Sequence, residues 1–208
     1  MENCQACAIK KYTNNMLGLK LATDPRWVDI ANMSIDEILI DHAYCEQKAA
    51  TTCISLIIMF AEREKLVEVL SPIVSEEWGH FRMVLKELNK RGYKLGAKRS
   101  DNYVVQLMKL ERKGGIIERQ LMDKLLISAL IEARSCERFR LLSENISDFE
   151  LRDFYKELMI SEAGHYVTFV DLAKEYMPEE IVKERLNDML IEEAKIVEGL
   201  AIRGDRMH

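Results

Sequence analysis

A chain of 208 residues, 48% hydrophobic and 31% charged, is long enough for one sizeable core, and its net charge of −5 argues against a general nucleic-acid binder. Three Pro, nine Gly and long stretches rich in Leu, Ile, Ala, Glu, Lys and Met argue for an all-α protein and against a parallel sheet. No stretch reaches the roughly eighteen uninterrupted apolar residues of a membrane span, the start MENCQACAIKKY lacks a signal-peptide core, and five scattered cysteines fit a reducing compartment, so a cytoplasmic location is expected.

The first 33 residues read as an irregular N-terminal arm. Its Cys4-x-x-Cys7 pair is given no metal or redox role, because structural zinc sites need a second such pair. Ser34 and Glu37 form the pattern of a capping box, opening a helix through Phe60 with Glu46 near its centre. On the face of Glu46 lie His42, Ala49, Ala50 and Cys53, small neighbours that leave room for a ligand to reach inward. After a polar break at Ala61 to Glu64, a second helix carries the stripe Leu66, Leu70, Ile73, Val74, Val84 and Leu88, and both Glu77 and His80 fall on it. Pro72 should bend this helix rather than divide it, and Gly92 should end it. A third helix is predicted from about Ile117 to Glu144, with Glu132 on the face of Leu125, Ser128, Ala129, Cys136 and Phe139. Ser147 and Glu150 repeat the capping-box pattern for a fourth, which ends before Pro178; residues 34–177 thus form a four-helix core. A fifth helix from Glu179 to about Gly199, within the 178–208 extension, should pack on the outside of this single domain.

The chemistry lies in two Glu-x-x-His motifs, Glu77-Trp78-Gly79-His80 and Glu162-Ala163-Gly164-His165, 85 residues apart. Each follows a lone glutamate in an apolar run, Glu46 by 31 residues and Glu132 by 30. On a helix the i, i+3 spacing puts both side chains on one face, and thirty residues crosses an antiparallel hairpin at its middle, about fifteen residues or 22 Å from the turn on either arm. Four helices would then supply four carboxylates and two imidazoles. Four carboxylates balance two divalent cations, and without metal their burial would be very costly. Oxygen-dominated donors with one imidazole per ion suit iron first and manganese second. Glu137 competes with Glu132 for the third-helix ligand, since Cys136-Glu137 echoes Cys45-Glu46, but it lies 25 residues from Glu162 and so about a turn off level; it is otherwise expected near the ligands. His42 reads as a hydrogen-bonding group beside Glu46, and His208 as a solvated terminal residue. No catalytic side chain beyond the ligands is expected. A site of this kind could insert oxygen into a C–H bond, desaturate a chain, oxidise iron or handle peroxide.

A second feature bears on the substrate. From Arg82 to Arg119 there are eleven Lys or Arg (82, 86, 90, 91, 94, 98, 99, 109, 112, 113, 119) against four acids, a local charge of +7. Such a block could track a phosphate backbone, with Lys90, Arg91, Lys94, Lys98, Arg99, Lys109, Arg112 and Lys113 as its contacts and Tyr93 and Tyr103 stacking on bases; the bland reading is a solvated helix end and loop.

The strings LGLKLATDPRWVDIA, DHAYCEQKAATTCISLI, EEWGHFRMVL, ALIEARSCERFRLL and ISEAGHY resemble the MiaE family of tRNA hydroxylases, over about residues 16 to 200. The resemblance implies a ferritin-like nonhaem diiron monooxygenase that uses O₂ to hydroxylate the isopentenyl group of 2-methylthio-N6-isopentenyladenosine beside the anticodon. It implies Glu46, Glu77, His80, Glu132, Glu162 and His165 as the metal ligands, Glu77 and Glu162 bridging, with the tRNA anticodon arm as partner and electrons from a separate reductase or ferredoxin. A monomer is the expected assembly. The alternative is a ferritin- or rubrerythrin-like iron- or peroxide-handling oxidoreductase, although a typical rubrerythrin would add two Cys-x-x-Cys pairs where this chain has one.

Overall fold

The structure, a computed structural model, describes residues 16–208; Cys4 and Cys7 lie outside the described residues. Among these residues the regular structure is entirely helical: α1 (Arg26–Asn32), α2 (Ile35–Met59), α3 (Glu64–Lys90), α4 (Asn102–Leu107), α5 (Ile117–Asn145), α6 (Phe149–Tyr176) and α7 (Glu179–Gly199), with short 3₁₀ turns at Met16–Gly18 and Met108–Leu110. The chain forms two compact units. One comprises residues 29–100 and 203–207 and is built on the α2–α3 hairpin; the other, among the described residues, comprises 16–28, 101–202 and His208 and is built on the α5–α6 hairpin.

In the α2–α3 unit the stripe predicted for α3 is buried at Leu66, Leu70, Ile73, Val84 and Leu88, each no more than 5% exposed, with Val74 half-buried, and Ile38, Leu39, Cys53 and Leu56 of α2 are buried as well. The predicted capping box at the start of α2 does not form: Ser34 makes no side-chain cap bond, and Glu37 ion-pairs with Arg99 instead of reaching back to the Ser34 amide. A guanidinium is the stronger partner for a carboxylate. Helix α3 runs unbroken through Pro72, so Ser71 does not begin a new helix. Its end is a Schellman motif in which Gly92 N–H donates to Asn89 O (3.1 Å) and Tyr93 N–H to Leu88 O (2.9 Å); Gly92 takes φ +74°, which a Cβ would strain. The 203–207 segment is tied to α2, Met207 N–H donating to Asp41 Oδ2 at 2.8 Å.

In the α5–α6 unit two elements depart from the sequence reading. The arm expected to be irregular contains α1, which begins in this unit: Asp24 accepts from the Arg26 amide (2.9 Å), and Pro25, whose ring fixes φ, leads directly into the helix. The connection after Ser100 contains α4, capped by Asp101, whose Oδ1 accepts from Val104 N–H (3.2 Å), and Tyr103 and Leu107 are buried beneath it. The cap of α6 is Asp148 rather than Ser147, one oxygen accepting from Glu150 and Leu151 amides at 3.0 and 3.2 Å. Helix α7 does more than cover the outside. Its Glu193 is fully buried and pairs with buried Arg134 of α5 at 2.7 Å, while Arg185 of α7 and Arg112 both clamp buried Asp123 at 2.8–3.0 Å. No helix among the described residues is long and apolar enough to cross a membrane.

Candidate metal centre

Each hairpin builds one half of the predicted ligand set. In the α2–α3 unit, Glu46 projects from the middle of α2, where Ala43 and Ala50 are buried at one turn before and after it, and Glu77 and His80 project from one face of α3. One donor atom from each of Glu46, Glu77 and His80 lies within 4.8 Å of the others. His80 Nδ1 stands 3.5 Å from Glu46 Oε2 and 3.7 Å from Glu77 Oε2, and Glu77 is only 1% exposed. Burial opposes a charge on His80, but its contacts with Glu46 and Glu77 outweigh that and push its pKa up to about 10. Glu46 shows the complementary effect: burial would raise it, yet His42 and His80 hold it well below the usual carboxylate range. His42 Nε2–H donates to Glu46 Oε1 at 2.6 Å from a fully buried position. The sequence reading of His42 as a hydrogen-bonding neighbour of Glu46 matches this contact.

In the α5–α6 unit, Glu132, Glu162 and His165 likewise bring donor atoms within 4.8 Å of one another, at 4%, 2% and 4% exposure. Ser128, Ala129, Ala133 and Cys136 on the Glu132 side of α5 are buried with it, and burial pushes the Cys136 thiol up to about 12, so it stays protonated. Glu137 is occupied elsewhere. Its carboxylate ion-pairs with Arg134 and accepts from Thr23 N–H (3.1 Å) and Thr23 Oγ1–H (2.6 Å), and Arg134 continues to Glu193 and the Leu21 carbonyl. Glu137 is thus held in a buried structural network.

The donor chemistry fits a hard divalent ion in each half. Two carboxylates and one imidazole bring donor atoms within 4.8 Å of one another, buried where like charges at such separations are costly without a cation.

The model of the tRNA-(MS[2]IO[6]A)-hydroxylase (MiaE) family matches residues 10–208. The chain belongs to the MiaE family. Among MiaE-type relatives, the tRNA 2-(methylsulfanyl)-N(6)-isopentenyladenosine(37) hydroxylase of Pseudomonas putida is 38% identical over 154 residues, 74% of each chain. The enzyme of the same name from Salmonella typhimurium is 33% identical over 117 residues, 56% of this chain and 42% of that one. A solved structure, protein 43 with aldehyde deformylating oxygenase activity from Synechococcus, superposes with a TM-score of 0.86 at 38% identity, over 91% of this MiaE-family chain and 94% of that chain. The fold class is therefore the all-α, ferritin-like one expected from the sequence.

The residues picked out for RNA contact in this MiaE-family chain divide into two kinds. Arg99 pairs with Glu37 and Arg112 with Asp123, so these two arginines tie separate segments together, and Arg91 pairs with Glu87 one turn back along α3; Lys90, Lys94, Lys98, Lys109 and Lys113 are exposed. Tyr103 is 1% exposed and hydrogen-bonds Glu193 at 3.0 Å, which removes it as a base-stacking residue, whereas Tyr93 is 37% exposed. His208, expected to be solvated, has a side chain only 1% exposed: Nδ1 lies 3.0 Å from Asp101 Oδ2, Nε2 3.0 Å from Ser135 Oγ, and the ring stacks on Tyr103. Nothing in the local sequence signals that contact, whose partners lie 107 and 73 residues away.

Proposed function

We propose that this protein is an O₂-dependent nonhaem diiron monooxygenase that hydroxylates the isopentenyl group of 2-methylthio-N6-isopentenyladenosine in tRNA, next to the anticodon. The observation that carries the reading is the pair of buried Glu plus Glu-x-x-His clusters in a chain of a tRNA hydroxylase family. Glu46, Glu77 and His80 would hold one iron and Glu132, Glu162 and His165 the other, the two units acting as one domain. Two iron ions would supply the O₂-activating, two-electron chemistry that inserting oxygen into an allylic C–H bond requires. The balance is one C–H bond plus O₂, two electrons and two protons, giving one C–OH bond and water; a reductase or ferredoxin supplies the electrons.

The chain's own residues have separate tasks. The carboxylates would neutralise the charge of two divalent ions held in this buried setting. His42 fixes the rotamer of Glu46 through its Nε2–H donor, as the outer partners of metal ligands do. The buried Leu, Ile and Phe side chains of the hairpins keep water from a reactive centre. The test is mass spectrometry of nucleosides from isopentenylated tRNA incubated with iron-loaded protein, reductant and O₂: a gain of one oxygen on the isopentenyl nucleoside is expected, and no gain from protein carrying two irons would refute the substrate.

The 38% identity with a solved protein titled for aldehyde deformylating oxygenase activity favours a second reading, oxygen-dependent loss of the formyl group from an aldehyde. An aldehyde supplied under the same conditions separates the two. Formate release with no change in tRNA would favour the second reading.

A further inference from the structure

The α2–α3 unit carries a surface outside the ligand set that joins the start of the basic block to an aromatic residue preceding it, Trp78. Trp78 lies between the ligands Glu77 and His80 in sequence, yet it is 47% exposed while Glu77 is 1% exposed. Its ring packs on buried Phe81, with centroids 4.8 Å apart and the planes tilted by 37°, so Phe81 supports the indole from within while about half of the residue stays open to solvent. An exposed tryptophan held against a buried ring is a rigid stacking platform.

The same helix face continues from Trp78 through Arg82, Lys86 and Lys90, an i, i+4 series in which every residue is exposed and successive cations stand about 6 Å apart along the axis. From 82 to 99 the sequence holds seven cations and one acid, and that acid, Glu87, is neutralised by Arg91. Arg82, Lys86, Lys94 and Lys98 make no ion pair among the described residues, in contrast to Arg91 and Arg99. Past the helix end Tyr93 adds a second part-exposed ring. Exposed cations in a row with an aromatic at each end match a single-stranded nucleic acid, whose phosphates meet the cations and whose splayed bases meet the rings. An acidic protein would satisfy the charges but has no use for an edge-supported indole.

We infer that the exposed face of α3, Trp78 with Arg82, Lys86 and Lys90, docks the single-stranded loop of the tRNA substrate, with Trp78 stacking on a base. This rests on the proposed tRNA substrate. Because Trp78 is one residue from Glu77 and two from His80, a base stacked there lies on the same helical turn as two ligands, so the contact serves to position substrate as well as to bind it.

The experiment is binding of a fluorescein-labelled anticodon stem-loop carrying the isopentenyl nucleoside, at several salt concentrations. Full-length iron-loaded protein and the variants Trp78→Ala, Trp78→Phe and Arg82→Gln/Lys86→Gln are compared, with iron content measured for each. Trp78→Ala should weaken binding about 5- to 150-fold with the salt slope unchanged, and Trp78→Phe should retain most of the affinity. The charge variant should lower the slope of log Kd against log salt by about 1.4, roughly 0.7 per phosphate contact. Iron content should be unchanged throughout; if Trp78→Ala loses iron, the Phe and charge variants decide. Affinities within twofold of wild type in the variants would overturn the inference, as would unchanged RNA binding with slower reduction by the electron donor, which would make this face a protein-docking surface. Failure of the wild type to bind the stem-loop would instead refute the tRNA substrate itself.

Discussion

Glu137 offers a way to separate a ligand from a structural carboxylate on the same helix. In Glu137→Gln the ion pair with Arg134 is lost, and the amide must turn a donor toward either the Arg134 guanidinium or the Thr23 amide, both of which are donors themselves. Glu137 is 3% exposed and Arg134 fully buried, so water does not compensate. Arg134 keeps Glu193 at 2.7 Å and the Leu21 carbonyl at 3.0 Å, so the loss is smaller than for a buried cation left wholly unpaired. A charged hydrogen bond contributes about 1.5–3 kcal/mol and a fully broken buried pair costs about 3–5, which brackets this variant at roughly 2–4 kcal/mol. For a chain of this size that is a fall in Tm of roughly 4–16 °C. Thermal unfolding followed by circular dichroism, with iron measured on the folded protein, reads both quantities: a lowered Tm with two irons retained is expected. Iron loss at unchanged Tm would show that Glu137 is a ligand and would displace Glu132 from that role.

The remaining expectations concern the ligands and one buried salt bridge. Glu77→Ala and His165→Ala should each abolish two-iron occupancy, measured by elemental analysis after anaerobic Fe(II) loading; full occupancy in both would sink the ligand assignment. His42→Ala should weaken iron binding about 10- to 100-fold in a chelator-buffered titration, with His42→Gln recovering part of the loss through its side-chain N–H, and equal affinities would mean that the 2.6 Å contact orients nothing. For Asp123 burial alone would raise the pKa, but Arg185 and Arg112 lower it below its ordinary value. The folded state therefore keeps the carboxylate ionised at pH values where the unfolded chain, titrating near 3.9, has begun to protonate. Its stabilisation is complete above that point and is lost as pH falls through the folded pKa. Urea unfolding should show Asp123→Asn less stable than wild type at pH 7 and the gap narrowing at pH 3; a constant gap would remove the charge from the explanation.

A linear chain announces those parts of its fold that a periodicity can encode. The 3.6-residue spacing of Leu66, Leu70, Ile73 and Val84 placed Glu77 and His80 on the buried face of α3, and the thirty-residue interval placed Glu46 at the same level of the α2–α3 hairpin, because helix rise converts residue count directly into distance. The same arithmetic favoured Glu132 over Glu137 within the α5–α6 hairpin. Helix ends were legible where glycine or proline enforces them, as at Gly92 and Pro178, and misread where a carboxylate had a choice of partner, as with Glu37, taken by Arg99. Which charges are structural depends on contacts between residues far apart in the chain. Arg99 and Arg112 look like Lys94 and Lys98 in a basic block, but a partner 62 residues away, Glu37 for Arg99, or on another element, Asp123 for Arg112, makes a cation part of the fold. The Arg134–Glu193 pair and the burial of His208 against Asp101 and Ser135 are of the same kind, since no periodicity records a contact made by one side chain across 59 to 107 residues. Trp78 was legible as a residue and illegible as a surface: its sequence neighbours are ligands, and only its exposure separates a stacking platform from one more core aromatic.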